Sequence, residues 1–100
     1  QLLRAGQVDE FNKQREEGKS CDLRGADLRN VELQGMNLKG LDMSGAYLRQ
    51  ADLRGLDLSE TRLEGASIRG AHVSGVKFPA ELLATEIALS LEHGTRMRYR

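Results

Sequence analysis

Residues 51–70 read ADLRG LDLSE TRLEG ASIRG, four groups of five in which the third residue is always Leu or Ile. The same pattern extends in both directions and forms twelve pentads over residues 21–80. Every third position holds a large apolar residue: Leu23, Leu28, Leu33, Leu38, Met43, Leu48, Leu53, Leu58, Leu63, Ile68, Val73 and Phe78. Similarity at a fixed period is the signature of a repeat architecture, so this pattern decides the fold.

The first four positions of a pentad alternate, as in Ala51 (inward), Asp52 (outward), Leu53 (inward) and Arg54 (outward). This matches neither a helix nor a continuous strand, because the fifth position resets the alternation. A short extended segment followed by a one-residue corner has this pattern. Gly occupies the fifth position in eight pentads, and it tolerates backbone angles that other residues avoid. The chain is therefore predicted to coil around an axis, with one pentad per side.

The first-position residues predict the number of sides, since those on neighbouring coils should stack. At a spacing of 20 residues they group by size, as in Ala26, Ala46 and Ala66, whereas at 15 Met36 would stack on Ala51. Four sides and three coils are therefore predicted. We number the walls in chain order: wall 1 is 21–25, 41–45 and 61–65; wall 2 is 26–30, 46–50 and 66–70; wall 3 is 31–35, 51–55 and 71–75; wall 4 is 36–40, 56–60 and 76–80.

The pentads ADLRN at 26–30 and ADLRG at 51–55 match the pattern A-(D/N)-L-x-x. In this the chain resembles the pentapeptide-repeat family over about residues 21–80. The resemblance implies an all-β solenoid, a right-handed quadrilateral β-helix of three coils. Departures from the pattern, such as Met36 at a first position and Tyr47 at a second position, predict a locally swollen or bent coil.

A stack of coils has two open ends, and the flanking segments are predicted to cover them. Near the N-terminus, a short helix with Val8 and Phe11 on one side should end before Gly18. Near the C-terminus, a helix should begin at Pro79 and end at Gly94. Its core-facing stripe is predicted to be Ala80, Leu83, Ala84, Ile87 and Leu91. The predicted organisation is a helical cap (1–20), the β-helix (21–80), a capping helix (79–94) and a basic tail (95–100).

Wall 2 carries the one patterned outer surface, a column of Arg29, Arg49 and Arg69 beside Tyr47. Only Asp27 offers an opposite charge at the neighbouring second positions. Such a column is a candidate interaction surface for carboxylate or phosphate groups. The alternative is a solvated wall on which the arginines splay apart.

Leu82 and Leu89 fall on the far side of the predicted C-terminal helix. One interpretation, suggested by family members that pair through C-terminal helices, is a twofold dimer centred on these leucines. The other is that one or both pack beneath the tail or the N-terminal cap. The tail GTRMRYR, 94–100, is open to three interpretations: a last strand on the helix or wall, a linker, or an anion-binding arm.

The 15 basic and 15 acidic residues cancel, which removes the electrostatic case for nucleic acid or an anionic membrane. A single cysteine, Cys21, cannot form an internal disulfide and predicts a reducing, cytoplasmic location. No apolar run is long enough to cross a bilayer. The chain begins with Gln1 rather than Met, which leaves room for a longer parent protein.

No arrangement of residues predicts catalysis, a metal site or a cofactor, since His72 and His93 are isolated and the serines lack a neighbouring base. We therefore expect a non-enzymatic module that presents a rigid surface to an unidentified protein partner, with a homodimer as one form. The alternative is a topoisomerase-protecting DNA mimic of the quinolone-resistance type, as the resemblance implies for some family members. Neutral charge and three short coils disfavour it.

Overall fold

The computed structural model describes residues 7–19 and 21–100. It contains helix α1, Val8–Glu16, and helix α2, Ala84–His93, with the pentads coiled between them. The principal extents are 36 × 23 × 23 Å. Within these described ranges no pentad forms a regular strand; neighbouring coils meet through isolated parallel bridges. A bridge one residue long is expected where each side has only four residues before it turns.

The bridges join residues 20 positions apart, as in Asp27 to Tyr47 and Tyr47 to Ser67. The predicted four-sided coil is therefore observed. Each bridge is flanked by hydrogen bonds in both directions along the stack. The Leu28 N–H donates to the Tyr47 carbonyl of the next coil (2.9 Å), and the Tyr47 N–H donates back to the Ala26 carbonyl (2.9 Å). The backbone thus forms a ladder that runs parallel to the axis.

The fifth position forms the corner, as predicted from its glycines. All eight fifth-position glycines have positive φ, and Asn30 (64°) and Gln50 (58°) adopt the same left-handed conformation. This conformation costs a residue with a Cβ about 1–2 kcal/mol, which explains the preference for Gly. The corner at Glu60 lies outside this set, and there the Gly40 N–H bonds to the residue 20 positions ahead rather than 19.

The core is a column of third-position side chains. Those from Leu23 to Ile68 are at most 2% exposed, whereas Val73 and Phe78, in the last coil, are partly buried. First-position alanines fill the gaps between them, and Ala46, Ala51 and Ala66 are fully buried. A buried first-position hydroxyl, that of Thr61, donates to the Leu38 carbonyl (2.9 Å) and so avoids the cost of an unpaired polar group.

Second-position Asp and Asn have a local role. Their side-chain oxygen accepts the N–H of the fourth residue of the same pentad, as in Ser44 to Asp42 (2.9 Å), Lys39 to Asn37 (3.1 Å) and Arg54 to Asp52 (3.2 Å). This Asx-type turn satisfies a donor that faces away from the ladder at the corner. It gives a physical reason for the D/N of the repeat pattern.

Helix α1 covers the first coil. Phe11 is 4% exposed and joins the core, with Val8 partly buried beside it. The Asn12 side chain bonds across the corner between walls 3 and 4: its amide donates to the Gly35 carbonyl (2.9 Å) and its oxygen accepts the Asn37 N–H (2.7 Å). One polar side chain thus satisfies both a donor and an acceptor of the open edge. Of the segment 1–20 predicted as a cap, residues 1–6 and 20 lie outside the described residues.

Helix α2 begins at Ala84, so the predicted start at Pro79 is wrong. Pro79 still belongs to the last pentad and is buried, and the Leu82 N–H turns back to its carbonyl (3.1 Å). This turn directs Leu82 into the core, where it is 6% exposed. Leu83 is extended (ψ 149°) and the helix follows it.

The predicted stripe on α2 changes with its start. Ala80, Leu83 and Ala84 are exposed, whereas Ile87 and Leu91 pack against the core as predicted. The helix contributes its one buried residue between those two, Ser90, which is 0% exposed.

The tail covers the remaining edge of walls 1 and 2. Met97 is fully buried; its carbonyl accepts the Gly65 N–H (2.6 Å) and its N–H donates to Ala66 (2.9 Å). The Tyr99 hydroxyl accepts the Leu63 N–H (2.8 Å), and the Ser90 hydroxyl accepts the Ile68 N–H (3.0 Å). The tail therefore pairs with the wall through the backbone of Met97, without forming a regular strand.

Candidate interaction surface on wall 2

The three arginines of wall 2 occupy equivalent positions on successive coils. The Asn30 N–H donates to the Arg49 carbonyl (2.9 Å), and the Gln50 N–H donates to the Arg69 carbonyl (2.8 Å). Adjacent chains of a ladder lie about 4.8 Å apart, which sets the spacing of the column. All three residues are exposed, so the backbone presents the guanidinium groups in order along the axis.

Arg29 differs from the other two because it is paired. Its Nε and Nη2 donate to the two carboxylate oxygens of Asp27, at 2.8 and 2.9 Å. These hydrogen bonds, together with the charge of Asp27, raise the pKa of Arg29. The first guanidinium of the column therefore has a carboxylate partner within its own pentad.

Arg49 and Arg69 have no ion pair in the part of the chain that the structure describes. The reason is in the sequence two residues earlier, where Tyr47 and Ser67 replace the aspartate of the repeat. Two full positive charges therefore face outward on neighbouring coils. Like charges about 5 Å apart repel, which favours binding of an anion between them.

The stem of Arg69 rests on the end of α2. A Cβ added to Gly94 would lie 3.3 Å from the Arg69 Cδ, so the absence of a side chain lets the arginine pass. Gly94 also ends the helix in the left-handed conformation, with φ of 74°. The C-terminal cap therefore positions the last arginine of the column.

A fourth guanidinium, that of Arg96, lies beside the column and was not predicted from the sequence. Arg96 donates from Nη2 to the Tyr47 hydroxyl (2.7 Å) and from Nη1 to the Gly65 carbonyl (2.9 Å), and its Cζ lies 5.1 Å from the Tyr47 ring centroid. The alternation of basic and apolar residues in the tail was the available signal. With Met97 inward, Arg96 and Arg98 must face outward.

These residues surround a shallow depression of about 240 Å³. Its lining is Arg29, Tyr47, Arg49, Ser67, Arg69, His93 and Gly94. Tyr47 is 41% exposed and gives the lining an aromatic surface. Arg96 lies over the Tyr47 ring, so four arginines are grouped on or beside wall 2, and Asp27 is the one acidic residue at the second and fourth positions of this wall. An open, positively charged surface with one aromatic side chain is suited to a macromolecular contact.

Walls 1 and 3 show the opposite arrangement. Arg24 and Arg54 each form two side-chain hydrogen bonds with the aspartate two residues before them, Asp22 and Asp52. These hydrogen bonds lower the pKa of both aspartates to about 2. The charges of Arg24 and Arg54 are therefore neutralised locally, as is that of Arg29, whereas Arg49 and Arg69 have no ion pair in the described chain.

The structure separates the candidate dimer residues Leu82 and Leu89. Leu82 precedes α2 and is buried in the core, so the prediction that both lie on one exposed helix face is wrong for Leu82. Leu89 is 45% exposed, and Leu83, just before the helix, is 43% exposed. Leu83 and Leu89 are therefore the large apolar side chains exposed at this end of the described chain.

Other chemistry is sparse in the residues that the structure covers. Among 7–19 and 21–100, no three His, Cys, Asp or Glu side chains lie close enough to hold a metal ion. In the same ranges, neither helix has the length and apolar character needed to cross a bilayer. Cys21 is partly buried in the first coil, and this burial raises the pKa of its thiol.

The twenty-residue period, the corner at every fifth residue and the apolar column define a quadrilateral pentad solenoid. A family model described as pentapeptide repeats (8 copies) matches residues 19–55 and 42–78. The chain belongs to this pentapeptide-repeat family. A search of curated proteins found no match.

Proposed function

We propose that this protein is a non-enzymatic interaction module that binds an acidic surface of a protein partner through wall 2. Membership of the pentapeptide-repeat family suggests an interaction module. The observation that carries the proposal is the pair Arg49 and Arg69, two exposed guanidinium groups held on a rigid wall without carboxylate partners in the described chain. The right-handed sense of the coil and a cytoplasmic location are part of the proposal.

Wall 2 is suited to this function because its backbone is held by bridges between successive coils and by the buried core beneath it. Bridges join Asp27 to Tyr47 and Tyr47 to Ser67, and the core residues beneath them are buried. A preorganised surface loses little conformational entropy on binding, which favours affinity. The sign of the charge does not favour imitation of DNA, since DNA is an anion and wall 2 is positive.

The test is quantitative affinity capture with the Arg49→Glu/Arg69→Glu variant beside the wild type. Reversal of the two charges should remove the partners that wild type captures, because like charges at a contact cost binding energy. The matched control is Arg24→Glu/Arg54→Glu, which changes net charge equally on walls 1 and 3 and should capture the same partners as wild type. Equal capture by wild type and the wall 2 variant would reject the proposal, provided that circular dichroism shows both to be folded.

A homodimer through the C-terminal end remains a prediction, now assigned to Leu83 and Leu89. Both are large apolar side chains more than 40% exposed. Light scattering of the wild type and Leu89→Glu should show a dimer and a monomer, respectively. A monomeric wild type at high concentration would exclude this part of the proposal.

A further inference from the structure

The spacing of the arginine column limits the kind of partner that wall 2 can bind, if the proposed function is correct. Arg29, Arg49 and Arg69 lie on three successive coils, so the column spans about 9.6 Å along the axis, at about 4.8 Å per coil. A partner that engages all three must present its acidic groups with a similar spacing. Different backbone conformations of the partner give different spacings.

An extended peptide fits this spacing poorly. Its side chains face one direction at every second residue, about 6.7 Å apart, so three acidic residues in alternate positions span about 13 Å. This exceeds the column by more than 3 Å. The arginine side chains would then have to splay in opposite directions, and each loses rotamer entropy when it is held there.

An α-helix fits it well. Its rise is 1.5 Å per residue, so acidic residues at i, i+3 and i+7 share one face and span about 10.5 Å. This differs from the column by about 1 Å. Each carboxylate of the partner helix then lies beside one coil of the β-helix. The guanidinium groups of Arg49 and Arg69, which have no ion pair in the described chain, can each bind one carboxylate.

We propose that wall 2 binds an amphipathic α-helix of a partner protein that carries Asp or Glu at i, i+3 and i+7, with its axis parallel to the β-helix. The Tyr47 ring, 41% exposed and fixed by Arg96, contacts an apolar residue beside this acidic stripe. Because Arg29 is already paired with Asp27, it contributes less than the other two arginines to binding of the acidic helix. Arg49 and Arg69 therefore carry most of the interaction.

The test uses three labelled peptides of equal length and net charge, with binding measured by fluorescence anisotropy at low ionic strength. In the first, a cross-linked helix carries glutamates at i, i+3 and i+7. In the second, an identical cross-linked helix carries them at i, i+1 and i+6, which point in three directions at about 100° per residue. The third is not cross-linked, contains proline and carries them at alternate positions of an extended chain.

The in-register helix should bind this protein about tenfold more tightly than the other two peptides do, a difference equivalent to about 1.4 kcal/mol. Arg49→Gln/Arg69→Gln should remove this preference. Arg24→Gln/Arg54→Gln, with the same loss of charge on walls 1 and 3, should retain it. Equal affinities for the two helices would overturn the inference, as would tighter binding of the extended peptide or an unchanged preference in the Arg49→Gln/Arg69→Gln variant.

The experiments distinguish a failure of the helix inference from a failure of the proposed function. If charge reversal at Arg49 and Arg69 abolishes partner capture but the helices bind equally, wall 2 binds an acidic surface that is not a helix. If charge reversal leaves capture unchanged, wall 2 is not the binding surface at all.

Discussion

Walls 2 and 3 have the same backbone but present their arginines differently. On wall 3, Arg54 follows Asp52 by two residues and donates two side-chain hydrogen bonds to its carboxylate. On wall 2, Arg49 and Arg69 follow Tyr47 and Ser67 and remain unpaired within the described chain. The residue at the second position therefore decides whether a fourth-position arginine is neutralised or available. This departure from the repeat is the observation on which the proposed function rests.

The most direct test of this difference is to give wall 2 the second-position aspartate that wall 3 has before Arg54. Tyr47→Asp/Ser67→Asp places a carboxylate two residues before each unpaired arginine, so both should close as Arg54 does. We expect partner capture, and binding of the in-register helix, to fall about tenfold or more, because the loss of two charge contacts is compounded by repulsion from two new carboxylates. Quantitative capture and fluorescence anisotropy measure the two effects.

The control for Tyr47→Asp/Ser67→Asp is the uncharged variant Tyr47→Asn/Ser67→Asn. Asparagine supplies the same acceptor for the fourth-position N–H, as Asn37 does for Lys39, but adds no charge. Capture should fall much less than with the aspartates. Equal losses in the two variants would show that the tyrosine and serine, not the open arginines, carry the interaction.

The next comparison separates wall geometry from stability. Gly94→Ala places a side chain on a left-handed residue and 3.3 Å from the Arg69 Cδ, whereas Gly55→Ala on wall 3 meets nothing within 4 Å. Both should lower the free energy of unfolding by about 1–2 kcal/mol, because both residues have positive φ. Only Gly94→Ala should also weaken capture, since it displaces Arg69. Urea denaturation and capture of the two variants provide the test; equal capture contradicts a positioning role for Gly94.

A smaller effect is expected at successive corners of the second coil. Gln50 on wall 2 has φ of 58°, while Gly55 on wall 3 has φ of 77° without strain. Gln50→Gly should raise the free energy of unfolding by about 0.5–1 kcal/mol, since the gain at the corner exceeds the extra entropy of an unfolded glycine. Urea denaturation with Arg49→Gln as a neighbouring control would show it. A loss of stability would contradict the argument from φ.

The smallest effect on stability, and the clearest spectroscopic one, concerns Asp52. Its pKa is lowered from 3.8 to about 2 by the hydrogen bonds from Arg54. The pKa of Asp52 is lower in the folded state than in the unfolded state. The contribution of the Asp52–Arg54 pair to the free energy of unfolding is therefore present above pH 4 and is lost as the pH falls towards 2. Arg54→Gln should return the titration midpoint of Asp52 towards 3.8, measured by NMR. Asp22, paired with Arg24, should keep its own midpoint near 2 in the same variant.

The periodic part of the fold was predictable from sequence because each pentad is defined locally. A third-position Leu such as Leu53 is buried, a fifth-position Gly such as Gly55 turns the corner, and the bridges 20 residues apart follow from four such sides. Arg29, Arg49 and Arg69 lie in one column for the same reason. No contact from outside the repeat is needed for any of this.

The C-terminal segment was less predictable because its structure depends on the coil beneath it. Leu82 and Leu83 are equivalent as helix formers, yet one is buried in the core and the other is exposed. Arg96 reaches Tyr47 across 49 positions, because Met97 first pairs with Gly65 and Ala66. Such contacts follow from unsatisfied donors on the last coil, which the tail sequence alone does not reveal.

The polar caps have a consequence for the evolution of this protein. Asn12 bonds only to the first coil in the described structure, and Ser90 accepts a donor of the third. The second coil, which lies between them, has the same backbone edges above and below, so duplication of this twenty-residue unit leaves the hydrogen bonds of both caps intact. A gene can therefore lengthen wall 2 by one coil, about 4.8 Å, at a time without altering either cap. If wall 2 binds a helix as we propose, each added coil lengthens the segment of helix that it can contact.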